Sequence, residues 1–354
     1  MLAVKEKTIQ RQTPRPPASI NNLSLSMRNL ILSEITENVF TETPKINQIV
    51  ETIRKEVEIT PLKKEECYVQ VLGVDAGSQV IPLASMQYAV FGALAYSFPY
   101  GYRFFLPPES ISQPYGDSLG NFRSLVDIRR EAMLYETACG YLGHHTDIDL
   151  VLIDGPLAFS NWWAKVGEEK DRQRLIDGIN KLLNMCHKYD IVVAGVVKRP
   201  TARHLVHFLG LERETSYTDG YIMLHALEAG ERTEVFSPKT GLRMATRSSL
   251  LMDAIEAPIY SSYVRISKEW QTPPIRLDMP AYCLDEIDNV ANYCYATSYW
   301  SGLPLPIVKA DEEVKVSKRF IADVYSEALS RIGRVSGEVS QLAPFWGEGS
   351  WMGV

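Results

Sequence analysis

Cysteine and histidine are both scarce here, five and six residues in a chain of 354. The cysteines (Cys67, Cys139, Cys186, Cys283 and Cys294) are odd in number, widely scattered and form no C-x-x-C pair. This argues against a disulfide framework and reads as reduced, mostly buried thiols of a cytosolic protein. His204 and His207 lie one helical turn apart, and His144 and His145 sit where a helix should end, with no zinc-type ligand set around either pair. They read as partly buried helix residues and as favourable charge at a helix C-terminus. Long apolar runs are missing as well. The richest stretch, Met86 to Phe98, is too short to span a bilayer and reads as a strand, which excludes a membrane span. No signal-peptide pattern opens the sequence, so a cytoplasmic location is expected. There is no basic excess: the net charge is −6. No global field advertises a nucleic-acid partner, although Lys and Arg can still cluster around an acidic metal site. A G-x-S-x-G elbow is also absent, and Ser78 has no nearby base, which excludes a serine hydrolase.

What remains has the composition of an ordinary soluble globular protein, 45% hydrophobic and 23% charged. Its length suits one large domain with embellishments or two smaller ones. Residues 1–20 carry Thr13-Pro14-Arg15-Pro16-Pro17 and little apolar periodicity, the pattern of a flexible tail. Residues 21–60 form an N-terminal helical segment, with Leu30, Ile31, Ile35 and Val39 at helical spacing. The main domain is expected over 68–335 and a C-terminal tail over 336–354, where Trp346 to Trp351 reads as a loop or docking element.

Within the main domain, 68–82 reads as a strand that reaches Asp75 and continues past a turn or bulge. Strands follow over 86–98 and 102–106, the last ended by Pro107-Pro108. Their short connections predict an antiparallel meander. A helix over 121–142, a strand ending at Asp154, a helix over 168–189 and a strand over 191–198 come next. Three antiparallel strands, helix, strand, helix, strand is the order of a ribonuclease-H-like α/β core, a mixed sheet flanked by helices. Beyond Pro200 the pattern predicts a helix after Thr218-Asp219-Gly220, extended pairs over 233–248 and 259–278, and helices over 285–299 and 317–332.

Asp75, in Gly73-Val74-Asp75-Ala76-Gly77-Ser78, and Asp154, in Leu152-Ile153-Asp154-Gly155-Pro156, each follow an apolar run with glycine close behind. Either alone reads as a turn residue. Together, on neighbouring strands, they predict a shared site for a hard divalent cation, because a desolvated carboxylate needs a partner. A third acid is available on the intervening helix, as Glu131 or Glu136. Such a site holds Mg²⁺ or Mn²⁺ and suits phosphodiester hydrolysis. Lys198 ends the apolar strand Val192 to Val197, where an ammonium would offset phosphate charge or balance the acids.

These motifs, with Val196-Val197-Lys198-Arg199-Pro200, Thr218-Asp219-Gly220, Gly302-Leu303-Pro304-Leu305-Pro306 and Val314-Lys315-Val316-Ser317, resemble the NurA nuclease family over about residues 68–320. The resemblance implies a Mn²⁺- or Mg²⁺-dependent single-strand exo- and endonuclease acting on DNA. It also implies a homodimer working with a HerA-type hexameric ATPase in end resection during double-strand break repair. Carried over by position, Asp75 and Asp154 are metal ligands and Glu136 is the favoured helix acid, with Glu131 competing. Lys198 and Asp219 would support the active site. Where the family usually has histidine, the matching residue is Asp311, which binds a hard cation but cannot act as an imidazole ligand.

Two other readings compete. A NurA-like subunit that has lost cleavage and only docks on the motor is favoured by Asp311 and the acidic balance. The Gly73 to Ser78 motif also resembles the first phosphate loop of sugar-kinase and actin-like ATPases, which need a second glycine-rich loop that this chain lacks.

Overall fold

A computed structural model describes residues 25–335 apart from 84, 116–118, 160–162, 239–248, 270 and 299–301, and also residue 340. The expected tail over 1–20, most of the extended segment over 233–248 and the tryptophan-bearing C-terminus lie outside the described residues. The chain divides into two compact units at Ile49 and Val50. A single helix, α1 (Leu25–Glu56), runs through that boundary with Pro44 inside it. In the first unit Leu30, Ile31, Leu32, Ile35, Val39 and Phe40 are exposed.

The second unit is built on one mixed sheet. In chain order its strands are β1 (Ile59–Pro61), β2 (Val71–Pro82), β3 (Met86–Phe98), β4 (Tyr102–Phe105), β5 (Glu109–Pro114), β6 (Leu150–Ile153), β7 (Val192–Val197), β8 (Glu231–Thr233), β9 (Ile259–Arg265) and β10 (Ile275–Pro280). The helices are α2 (Leu119–Leu142), α3 (Glu169–Lys188), α4 (His204–Phe208), α5 (Asp219–Ala226), α6 (Ser249–Asp253), α7 (Ile287–Ala296), α8 (Leu305–Val314) and α9 (Lys318–Val335). Among the described residues no helix is long and apolar enough to cross a membrane.

The sheet order is β1-β8-β9-β10-β7-β6-β2-β3-β4, with β5 on the far half of β3. β2 pairs antiparallel with β3 and parallel with β6, and β6 pairs parallel with β7. The run β4-β3-β2-β6-β7 is therefore the expected ribonuclease-H-like core. It is extended past β7 by antiparallel β10, β9, β8 and β1.

Alternation along the central strands sorts the core into two layers. Leu72, Val74, Val151, Ile153 and Val193 meet α2 and α3 on one face. Val71, Leu150, Leu152, Ala194 and Val196 meet α7 and Ile307 of α8 on the other. Both faces are covered, which is why these strands read as continuous apolar runs.

Three features depart from the sequence reading. β2 does not turn after Asp75; it continues in unbroken register with β3 from Val71↔Phe98 to Pro82↔Gln87. The glycines serve a close approach instead of a turn. A Cβ on Gly73 would run into the Pro306 carbonyl, and one on Gly77 would lie 2.6 Å from the Val314 carbonyl oxygen, so both let α8 lie against β2. Second, α8 was not expected, because its segment is proline-rich. Pro304 is its N-cap and Pro306 sits in the first turn, where a missing N–H costs nothing. Third, β5 was hidden behind Pro107-Pro108, and its sequence, Glu109-Ser110-Ile111-Ser112-Gln113-Pro114, is too polar to announce a strand.

Gly73→Ala should lower stability by about 1–3 kcal/mol, because helix or strand must shift to admit the methyl group. Urea unfolding is the measurement, and a wild-type midpoint would show that α8 does not need this contact.

Candidate metal centre and active site

Strand register places the acids. Gly73 faces Leu152 across the parallel β2–β6 pair, so the next same-face positions are Asp75 and Asp154. The Asp154 N–H donates to the Val74 carbonyl at 2.8 Å, carrying the pairing one residue past β6. Lys198 shares the parity of Ala194 and Val196 on β7 and faces the same side. That side is covered by α8, whose Asp311 completes the group. Asp75, Asp154 and Asp311 each offer a carboxylate oxygen, and these lie within 4.8 Å of one another.

Lys198 Nζ lies among all three carboxylates. It contacts Asp154 Oδ2 directly, donates to Asp311 Oδ1 at 3.0 Å and lies 3.7 Å from Asp75 Oδ2. Burial works against its charged form, but Asp154 and Asp75 outweigh it and push its pKa up. The ammonium stays charged. Burial pushes the Asp75 carboxyl up, and the neighbouring Asp154 adds to the rise. Burial raises Asp154 too, against the pull of Lys198. Asp311 differs: despite partial burial, Lys315 at 2.8 Å and Lys198 hold it down at about 2.

Glu131 arrives from the opposite face, on α2. It is 4% exposed and lines the same cavity of about 400 Å³ as Asp75, Asp154, Lys198 and Asp311. Gly155 makes room for it, since a Cβ there would lie 2.5 Å from Glu131 Oε1. Burial raises its carboxyl to about 7, opposed by Arg130. A folded pKa above the unfolded value means that the native state binds more protons between pH 4.5 and about 7, so stability falls as pH rises through that window. The full shift corresponds to a loss on the order of 3 kcal/mol. Glu131→Gln in metal-free protein should therefore shrink the drop in urea midpoint between pH 5 and pH 8. An unchanged drop would mean that Glu131 ionises without cost.

Two expected site residues lie elsewhere. Glu136 is not in the cavity; both its oxygens are bound by Arg174, at 2.7 Å each, and Arg174 also grips Glu109. Its face of α2 looks at α3, so of the two candidate helix acids only Glu131 lies with the other carboxylates. Asp219 also lies apart from the cavity. It is fully buried and accepts the N–H groups of Leu205 and Val206 and the Tyr263 hydroxyl, which makes it an anchor for α4 and not a member of the acidic group.

Sequence reading missed the support beneath the site. Asp278 on β10 accepts the N–H groups of Leu157 and Ala158 at 3.1 and 3.0 Å, while Arg276 donates to the Ala158 carbonyl at 2.9 Å. The loop that carries Asp154 is thus clamped from below. In the sequence these residues alternate with Ile275, Leu277 and Met279 and look like an ordinary solvent-facing row. Arg130, Arg199 and Trp163 also line the cavity. Only Trp163, in an Asn-Trp-Trp run soon after Asp154, carried a signal.

The residues present fit a hard divalent cation. All donors are carboxylate oxygens, the type Mg²⁺ and Mn²⁺ prefer. Asp154 Oδ2 is buried against the Lys198 ammonium, and no backbone N–H among the described residues donates to it.

Solved structures with the same fold include the NurA nuclease from Sulfolobus solfataricus. It is 16% identical with a TM-score of 0.62, covering 88% of this chain and 98% of that one. A NurA structure with manganese is 11% identical with a TM-score of 0.53, covering 86% and 98%. Another NurA structure is 12% identical with a TM-score of 0.52, covering 90% and 98%. A sequence comparison with curated proteins returns no match. Residues 69–316 match the NurA domain model, a span that holds every residue of the acidic group, and the chain belongs to the NurA family.

Proposed function

We propose that this protein is a metal-dependent deoxyribonuclease that hydrolyses phosphodiester bonds, with Asp75, Asp154 and Asp311 holding Mn²⁺ or Mg²⁺. The observation that carries the reading is the convergence of those carboxylates, from two parallel strands and α8, beside Lys198 and Glu131. The NurA relative with manganese supports the choice of cation. A divalent ion bound there supplies Lewis acidity toward a phosphate oxygen and toward water. The chain's own groups do the rest. Lys198 offsets charge on the phosphate oxygens, and Glu131, raised to about 7, can hold or release a proton at its carboxylate near neutral pH. Asp311, held down at about 2, serves as a ligand and not as an acid.

Family membership further supports a cytoplasmic homodimer that acts with a HerA-type hexameric ATPase in DNA end resection and double-strand break repair. Co-purification with such an ATPase, and faster cleavage in its presence, are the expected results. A second reading, a docking subunit without cleavage, draws on Asp311 standing where the family usually has histidine. Incubating the purified protein with single- and double-stranded DNA, with Mn²⁺ or with a chelator, separates the two. Degradation that needs the metal supports the nuclease. No degradation with or without the ATPase favours the docking subunit, and degradation in chelator refutes the assigned chemistry.

A further inference from the structure

A second recess adjoins the acidic cavity and shares Lys198 and Arg199 with it. β7 and β10 run antiparallel with Val197 opposite Arg276, so the residues that follow β7 meet those that lead into β10. Lys198 and Arg199 line the recess from the first segment, and Gln271 and Thr272 from the second. The second segment is held by its own hydrogen bonds. The Thr272 N–H donates to the Glu269 carbonyl at 3.0 Å, and the Glu269 N–H to Ser267 Oγ at 3.1 Å. Gly302, at φ +72°, brings the chain ahead of α8 so close that a Cβ there would run into Thr272 Cγ2. Three cations line the acidic cavity, and two of them face carboxylates: Lys198 has Asp75, Asp154 and Asp311, and Arg130 lies 3.9 Å from both Asp127 and Glu131. Arg199 is exposed and has no carboxylate partner among the described residues.

We propose that this recess is a second phosphate site, in which Arg199, assisted by the Gln271 amide and the Thr272 hydroxyl, holds the phosphate next along the strand to the one at Asp75, Asp154 and Asp311. The inference rests on the nuclease reading and specifies how its substrate is gripped. Three observations converge on it. The recess is lined by two cations, an amide and a hydroxyl with no carboxylate among them, so it favours an anion without help from a metal. A guanidinium presents a planar fork of N–H donors that matches two oxygens of one phosphate, and this one is not already engaged by an acid. The volume, about 270 Å³, falls just below the range of small-molecule pockets and suits one phosphate with its sugar. Because both recesses share Lys198 and Arg199, a single strand can pass from one to the other. Such a grip sets the register of the backbone over the acids and reads no base.

The test is calorimetric titration of the full-length protein in Mn²⁺ buffer with thymidine 3′,5′-bisphosphate and with the 3′- and 5′-monophosphates. The bisphosphate carries two phosphates at the spacing of neighbouring links in a strand, and none of the three contains a diester to cleave. Wild type should bind the bisphosphate about 10-fold more tightly than the better monophosphate. Arg199→Gln should lose that advantage, Arg199→Lys should keep part of it, and the better monophosphate should bind all three proteins alike. No advantage in the wild type, no binding of any probe, or an advantage that survives Arg199→Gln overturns the proposal. An equal loss on monophosphate and bisphosphate also overturns it, by assigning Arg199 to the acidic cavity or to the fold. Inorganic phosphate titrated into metal-free protein separates the two sources of such an anion. Tight binding that Arg199→Gln abolishes, with no bisphosphate advantage, would make the recess a site for free phosphate. Cleavage is scored apart from binding. A protein that degrades DNA with Mn²⁺ but shows no bisphosphate advantage loses the second site and keeps the nuclease reading, whereas one that shows the advantage and cuts nothing does the reverse.

Discussion

Asp75→Asn should abolish metal-dependent cleavage, by at least about 10³-fold, while raising the urea midpoint of the metal-free protein at pH 8. The rate loss follows from removing a ligand whose contribution to transition-state charge stabilisation is on the order of 4 kcal/mol. The gain in stability follows from the same burial. Asp75 is 7% exposed and lies beside Asp154, and both its desolvation and that neighbour favour the protonated carboxyl. With the folded pKa raised, the native state holds more protons than the unfolded state over the interval between the two values. Stability therefore falls as pH rises through it and is lowest in the alkaline range. Asparagine keeps the shape and removes the charge, so the variant should gain on the order of 1–3 kcal/mol at pH 8 and little at pH 4. Added Mn²⁺ should raise the wild-type melting temperature and leave that of Asp75→Asn almost unmoved. Undiminished cleavage by the variant, or a lower midpoint at pH 8, would remove Asp75 from the centre. A site that strains the metal-free fold in this way stores the affinity with which it takes a cation.

Strand periodicity made most of this centre legible. Asp75, Asp154 and Lys198 each extend an apolar run by one same-face step, and parallel pairing then brings them together whatever the rest of the chain does. Helical rotation was not legible. Glu131 and Glu136 are five residues apart, roughly 140° around the helix, so they must face different neighbours, and only the packing of α2 against α3 decides which one meets the strand ends. Arg174 of α3 claims Glu136, leaving Glu131 for the cavity. Asp311 was located by position alone, since its helix was concealed by Pro304 and Pro306. Asp219 entered only through the resemblance carried by Thr218-Asp219-Gly220, and its carboxylate turns inward to backbone N–H groups of α4 and to the Tyr263 hydroxyl, a use that no local pattern encodes.

The clamp under the Asp154 loop yields the largest expected effect on stability. Arg276 and Asp278 have side chains 3% and 0% exposed and are joined at 2.8 and 2.9 Å. Ser261 Oγ donates to the same Asp278 carboxylate at 2.7 Å. Arg276→Met removes the cation paired with the fully buried Asp278 carboxylate and should cost about 3–5 kcal/mol, read as a fall in urea midpoint. Replacing the pair with apolar residues often restores such a loss, because neither charge then remains to be desolvated. Here the restoration should be incomplete. In Arg276→Met/Asp278→Leu the N–H groups of Leu157 and Ala158 lose their acceptor, at about 1–3 kcal/mol for each group left unsatisfied. The double variant should therefore recover the ionic share of the loss and not the share that belongs to the loop. Its metal-dependent cleavage should stay low at temperatures where it is fully folded, because the segment from Asp154 to Phe159 is no longer held at fixed height above β10. Full recovery of both stability and cleavage would mean that the loop is positioned by its own packing, and a fall of less than about 1 kcal/mol in Arg276→Met would mean that Asp278 finds its neutral partners sufficient.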